Sequence, residues 1–259
     1  MTHFLAQAVL FEEEHDHSAE STWQLVEENA AFVIIALAIM AAITVLSVIF
    51  ERLYFKKLGI QRKGFDAKRI AGVGLLSAVG GVLTLLEIPL FVFYYLDFSE
   101  IPALIAGVLM GPVAGVIVEF IKVFVHILFH GTHSAFVGEF AMFVTGCLLM
   151  LPCSFIYWKS RTRKSLIIGL SVGIVSLIAL GGIFNGFYLI PKFAELFTGQ
   201  GPEAIVEMAK SINPNITNVW TLVLFATVPF NLIKGFATCI VVFLLYRPIT
   251  LVYRKMEHS

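Results

Sequence analysis

Thr227, Asn231, Lys234 and Thr238 are spaced i, i+4, i+7 and i+11 inside the apolar run 220–246, a pattern that aligns them on one face of a helix. Lys234 lies roughly 20 Å of helix from either end of that run, too deep for its stem to lift the ammonium to water. A lysine at the middle of a membrane helix costs at least about 3 kcal/mol on insertion scales, so it must face the interior of a bundle. Asn231 offers donors and an acceptor, matching the C=O and N–H edge of an imide or pyrimidine-like ring, whereas Lys234 offers only donors, suited to a carbonyl or hydroxyl oxygen. Pro229 removes one helical hydrogen bond and frees a carbonyl toward a cavity. The alternative is a lysine paired with a buried carboxylate simply to hold helices together; ligand binding is preferred. Asn185 can add a third polar contact, or merely bond a neighbouring helix, and Phe184, Phe187 and Tyr188 around it can stack on a planar ligand or pack as core.

Glu119, Lys122, His126, His130 and His133 form a second group. Glu119, His126, His130 and His133 fall at i, i+7, i+11 and i+14, roughly one helical face, and His126 with His130 has the i, i+4 spacing that can share a metal. The order is not the HExxH of a zinc hydrolase, and Gly131 with Thr132 ends the helix before His133. Glu119 and Lys122, at i and i+3, can neutralise each other near the cytoplasmic end of their helix. Metal binding is the minor reading. Glu139 can partner Lys234 or touch a substrate, and the spacing chooses neither. The three cysteines, Cys147, Cys153 and Cys239, sit in apolar stretches without CxxC spacing, which argues for small core residues over disulfides or a thiolate metal site.

The elements that carry these residues are membrane helices. The chain is 58% hydrophobic and 14% charged, with a mean hydropathy of +0.88, unlike a soluble domain. Since about 20 apolar residues cross the hydrocarbon, the runs predict seven spans: 30–50, 70–86, 101–118, 118–129, 135–157, 166–189 and 221–246. Gly111 and Pro112 divide the stretch 101–129 into two shorter helices at a tight turn. Of 18 Lys and Arg, seven lie between Arg52 and Arg69, four between Lys159 and Lys164, and three between Arg247 and Lys255. The positive-inside rule makes those segments cytoplasmic and places the N-terminus, residues 97–100 and the segment 190–219 outside. The acidic stretch 11–17 ahead of the first span is unlike a secretory signal. No GxxxxGK[ST] loop occurs and no internal repeat is evident, so the chain does not hydrolyse ATP in that way. In the span 70–86, Gly74 with Ala78 and Ser77 with Gly81 are small residues four apart, a face suited to docking another helix of this chain or of a partner.

From Leu96 onward, LDFSEIPALIAGVLMGPVAGV, HGTHSAFVGEFAMFVTG and VPFNLIKGF followed by LLYRPI resemble the substrate-binding S components of energy-coupling-factor transporters, specifically the RibU-like, riboflavin-binding group. The resemblance covers roughly residues 70–250. It implies an all-α integral membrane fold: a six-helix substrate-binding core preceded by one extra N-terminal transmembrane helix. It also implies a non-enzymatic subunit without cofactors that binds a vitamin from outside and delivers it inward with a transmembrane coupling subunit and two ATPase subunits. The Asn and Lys of PFNLIK imply flavin contacts at Asn231 and Lys234, and an Asn of the preceding span corresponds to Asn185. The full expected substrate set is Asn231, Lys234, Asn185, Glu139, Asp97 and Thr227. The coupling-subunit docking face is Gly74, Ala78 and Gly81, with Gly74 replacing the family's usual Ala. Val123 and Met142 stand where the family typically carries Asn, which admits a different vitamin. The expected organisation is an acidic segment 1–28, an extra helix 29–51, a basic cytoplasmic linker 52–69, the core 70–250 and a tail 251–259, in the cell membrane of a prokaryote. Two rival readings are a metal-dependent intramembrane enzyme using His126, His130 and Glu119, and a proton-coupled transporter using Glu119, Glu139 and Lys122.

Overall fold

The structure is a computed structural model that describes residues 27, 29–60, 64–91, 94–132 and 134–258. The acidic stretch 11–17, His133 and residues 61–63 of the basic linker lie outside the described residues. Helices α1 (Ala30–Lys57) and α2 (Ala67–Thr84) are followed by a two-stranded antiparallel hairpin, β1 (Ile88–Phe91) and β2 (Tyr94–Leu96). The chain continues through α3 (Glu100–Met110), α4 (Pro112–His130) and α5 (Val137–Ser160). Next, α6 (Arg163–Phe184) runs through a π turn, Asn185–Leu189, into α7 (Ile190–Thr198). After α8 (Glu203–Lys210), the short α9 (Val219–Leu222) passes through a second π turn, Val223–Thr227, into α10 (Val228–His258).

Among the described residues, six helical segments are long and apolar enough to cross a membrane: α1, α2, α4, α5, Arg163–Thr198 and Val219–Leu251. The expected pair of spans 101–118 and 118–129 is corrected. The break falls at Gly111, whose φ of +102° is open to glycine and strained for other residues, and Pro112 starts the next helix, where its missing N–H costs nothing. On the N-terminal side of the break, α3 has 11 residues, about 16 Å of helix and half of a membrane crossing. On the other side, α4 is long enough to cross. The core also includes the last turn of α3: Ser154 Oγ and Trp158 Nε1 both donate to the Gly107 carbonyl, at 2.6 and 2.9 Å, so α5 clamps that end of the short helix.

Helix α1 packs against α4 and α5. Its exposed side carries Ile34, Ile35, Leu46, Ile49, Phe50 and Leu53, and its inner side buries Ala36, Met40, Ser47, Glu51 and Phe55. Phe55 packs on Trp158 with ring centroids 4.8 Å apart, and the Tyr54 hydroxyl donates to the Phe155 carbonyl at 3.0 Å. Glu51 holds two elements at once, accepting from the Arg69 guanidinium at 3.1 Å and from the Val113 N–H at 2.8 Å. The second contact satisfies an open donor in the first turn of α4, where the helix dipole also favours a carboxylate. Removing one partner of a buried ion pair strands the other, so Glu51→Ala is expected to cost about 3 kcal/mol. Thermal denaturation in detergent should show a clear fall in melting temperature; an unchanged melting temperature would mean that α1 is held by apolar packing alone.

Candidate functional site

The shortness of α3 builds the site. A half-length helix leaves its N-terminal end, with Asp97, Ser99 and Glu100, inside the bundle at the level of Lys234 instead of at the surface. Lys234 Nζ lies 2.9 Å from Asp97 Oδ2 and 3.0 Å from Glu100 Oε1. Asp97 Oδ1 accepts the Ser99 N–H at 2.8 Å, so one carboxylate both fixes the turn that leads into α3 and pairs with the lysine. Behind Glu100 sits Lys122, whose Nζ is 3.4 Å from Glu100 Oε1, 3.0 Å from Ser99 Oγ and 2.7 Å from Glu119 Oε2. Neither Glu119 nor Lys122 has any exposed side-chain surface. Gly146 of α5 makes room for them, since a Cβ there would collide with the Glu119 carboxylate. The expected local neutralisation of Glu119 by Lys122 is therefore found, but deep in the bundle and joined to the lysine of α10.

The second half of the site lies on the two π turns. Proline at 191 and at 229 cannot donate to the fourth residue back and its ring crowds that carbonyl, and in both helices the widened turn covers that position, Phe187 and Phe225. Asn185 opens the first π turn and Thr227 closes the second. Tyr94 of β2 ties them together: its hydroxyl donates to Asn185 Oδ1 at 2.9 Å and shares a hydrogen bond with Thr227 Oγ1. Its ring stacks on Phe230 with centroids 4.9 Å apart. Asn185 Nδ2 donates to the Gly181 carbonyl at 2.8 Å, and Asn231 Nδ2 donates to the Leu177 carbonyl at 3.3 Å. Thr227, Asn231 and Thr238 are buried and Lys234 is nearly so, so the stripe on α10 does face inward.

Other residues singled out in the sequence are placed elsewhere. Glu139 does not partner Lys234, because Asp97 and Glu100 already do; Glu139 accepts from Ser134 Oγ at 3.1 Å. It lies 4.0 Å from His126 Nδ1, while His126 Nε2 is 3.2 Å from Glu87 Oε1 and the His130 ring is 5.3 Å from the His126 ring. Among the described residues, no group of three His, Cys, Asp or Glu is arranged to hold a metal ion. Glu119 belongs to the lysine network and not to the histidines. Phe187 is 73% exposed and packs edge-on to Trp220, so it points away from Asn185. Phe184 and Tyr188 stack on each other and meet Phe140, and Tyr188 also stacks on Phe32 of α1. Val123 is fully buried. Of the proposed docking residues, Gly74 and Ala78 are exposed, whereas Gly81, in the same helical phase, is covered by Val125, with which a Cβ would collide.

Tyr94 and Glu100 were not among the residues expected to form the site. Glu100 stands in the DFSEIPALI stretch three residues from Asp97, at the same helix start, and that proximity was its signal. Nothing in the pattern marked Tyr94. Together these groups present two amides, three carboxylates, two ammonium groups and hydroxyls within one bundle. They suit non-covalent recognition of a polar, planar molecule by hydrogen bonds to its edges, with rings nearby for its faces.

Comparison with known proteins finds several that this chain resembles. The family model described as "ECF transporter, substrate-specific component" matches residues 68–246. The riboflavin transporter RibU of Staphylococcus aureus (strain TCH60) is 34% identical over 195 residues, 74% of this chain and 93% of its own length. The riboflavin transporter FmnP of Bacillus subtilis (strain 168) is 31% identical over 183 residues, 69% of this chain and 90% of its own. A solved S component of a bacterial ECF transporter superposes with a TM-score of 0.56 at 31% identity, covering 71% of this chain and 96% of that one. Helix α1 precedes the stretch matched by the family model.

Proposed function

Because the chain belongs to the substrate-specific components of ECF transporters, a family of multi-pass membrane transport proteins and not of enzymes, we propose that it captures riboflavin and passes it inward as one subunit of an ATP-driven importer. The observation that carries this reading is the inward polar stripe of Thr227, Asn231 and Lys234, with Thr227 joined through Tyr94 to Asn185 and Lys234 paired with Asp97 and Glu100. The amide of Asn231 suits the imide edge of a flavin, and Lys234 suits a ring carbonyl or a ribityl hydroxyl. Both side chains are held by interactions a ligand can replace: one carbonyl for Asn231 and two carboxylates for Lys234. Asp97 and Thr227 are proposed as further contacts, and Glu139 as an outer one.

The proposed partners are a transmembrane coupling subunit and two ATPase subunits. Gly74 and Ala78 on α2 supply a small-residue face for the coupling subunit. The charge bias along the chain supports a cell-membrane orientation with the N-terminus outside and the basic segments 52–69 and 159–164 in the cytoplasm. The proposed division is an extra helix 29–51 joined by the basic linker to the core 70–250. A different vitamin is the second reading, because Val123 and Met142 place apolar side chains where the family typically has amides. A thermal-shift scan of the purified protein across flavins and other vitamins separates the two. Riboflavin is expected to raise the melting temperature most; stabilisation by a non-flavin alone would move the assignment to that compound.

A further inference from the structure

The ion pair of Glu119 and Lys122 is sealed from solvent, with no exposed side-chain surface on either partner. Taking two charges out of water this completely is seldom offset by their mutual attraction alone, so a pair kept in this state invites a functional account. Both Glu119 oxygens lack a well-aligned hydrogen bond among the described residues, although Lys122 Nζ is 2.7 Å away. Lys122 reaches past its partner to Ser99 Oγ and Glu100 Oε1 at the start of α3. Glu100 Oε1 is the same atom that Lys234 contacts at 3.0 Å. One carboxylate oxygen is thus shared by two ammonium groups, one belonging to the binding stripe and one lying behind it. Asp97, Glu100 and Glu119 are the carboxylates of this network, and Lys122 and Lys234 are its cations. When Lys234 turns toward a ligand oxygen, Lys122 is the cation left on Glu100.

We propose that Lys122, seated on Glu119, is a positioning residue that keeps Glu100 compensated so that Lys234 can exchange its carboxylate contacts for a ligand oxygen. This inference rests on the reading of Lys234 as a substrate contact. Without Lys122, Glu100 and Asp97 depend on Lys234 alone, and that tighter hold competes with the ligand. The test is a double-mutant cycle read by quenching of riboflavin fluorescence on the purified, folded protein. Lys122→Met is expected to weaken binding by about tenfold or more in the wild-type background, but by less than about threefold in a Glu100→Gln background, where position 100 no longer holds Lys234 by charge. A purely structural role predicts equal losses in both backgrounds, and that result overturns the proposal. Because Lys122→Met strands Glu119, the cycle is repeated with Glu119→Gln and Lys122→Met together, which removes the pair as a neutral unit and is expected to give the same contrast. Wild-type protein that binds riboflavin while Lys122→Met binds it equally well overturns the role of Lys122 only. Wild-type protein that binds no riboflavin overturns the substrate reading and this inference together.

Discussion

Replacing Lys234 with methionine is expected to weaken riboflavin binding by about 10- to 100-fold, the scale of losing a hydrogen bond from a charged donor. The aliphatic stem is kept, so packing on α10 changes little and the loss reports the ammonium. The same substitution leaves Asp97 and Glu100 facing each other with Lys122 as their remaining cation. A lower melting temperature should therefore accompany the weaker binding, because a buried carboxylate without its partner is costly. Titrating ligand into the stripped variant and the wild type under the same conditions separates the two effects. Loss of stability with full affinity would make Lys234 a helix-holding residue, the bland alternative for any intramembrane lysine.

Ala78→Leu is expected to abolish riboflavin uptake in cells that supply coupling and ATPase partners, while purified protein binds the vitamin as tightly as wild type. Gly74 and Ala78 lie exposed on one face of α2, where a partner helix can approach only if no bulk stands between the backbones. A leucine at 78 adds that bulk on the outside and disturbs nothing within. Gly81, one turn on, behaves differently: it packs on Val125, so a larger residue there damages the fold and is no probe of docking. Uptake that survives Ala78→Leu would place the coupling face on another helix.

The parts of the site legible in the sequence are those whose cost in a membrane is high. Lys234 could not be accommodated facing lipid, and the helical phase of Thr227, Asn231 and Thr238 then marked a single inward stripe, as the structure has it. Asn185 was visible for the same reason. What pattern alone did not reveal is which carboxylates face Lys234. Asp97 and Glu100 lie 137 and 134 positions away along the chain, and their nearness depends on α3 being half a span long. Hydropathy has no sharp signal for that length, because α3 and α4 form one apolar stretch interrupted only by Gly111 and Pro112. The π turns were equally hidden: Pro229 announced a disturbed hydrogen bond, but not that a widened turn would present Thr227 to Tyr94. Glu139 stood as an open candidate to partner Lys234 because charge complementarity without topology ranks every intramembrane carboxylate alike. The docking of α1 through Glu51 was also beyond pattern, since a glutamate at a helix end near a basic linker is ordinarily a solvated residue.

Titration of riboflavin into flavin-stripped, folded wild-type protein tests the central claim most directly. The site built from Asn231, Lys234, Asn185 and Thr227 predicts saturable quenching of flavin fluorescence at one riboflavin per chain, weakened by Lys234→Met. Unquenched fluorescence throughout, with the protein folded and monodisperse, would contradict it.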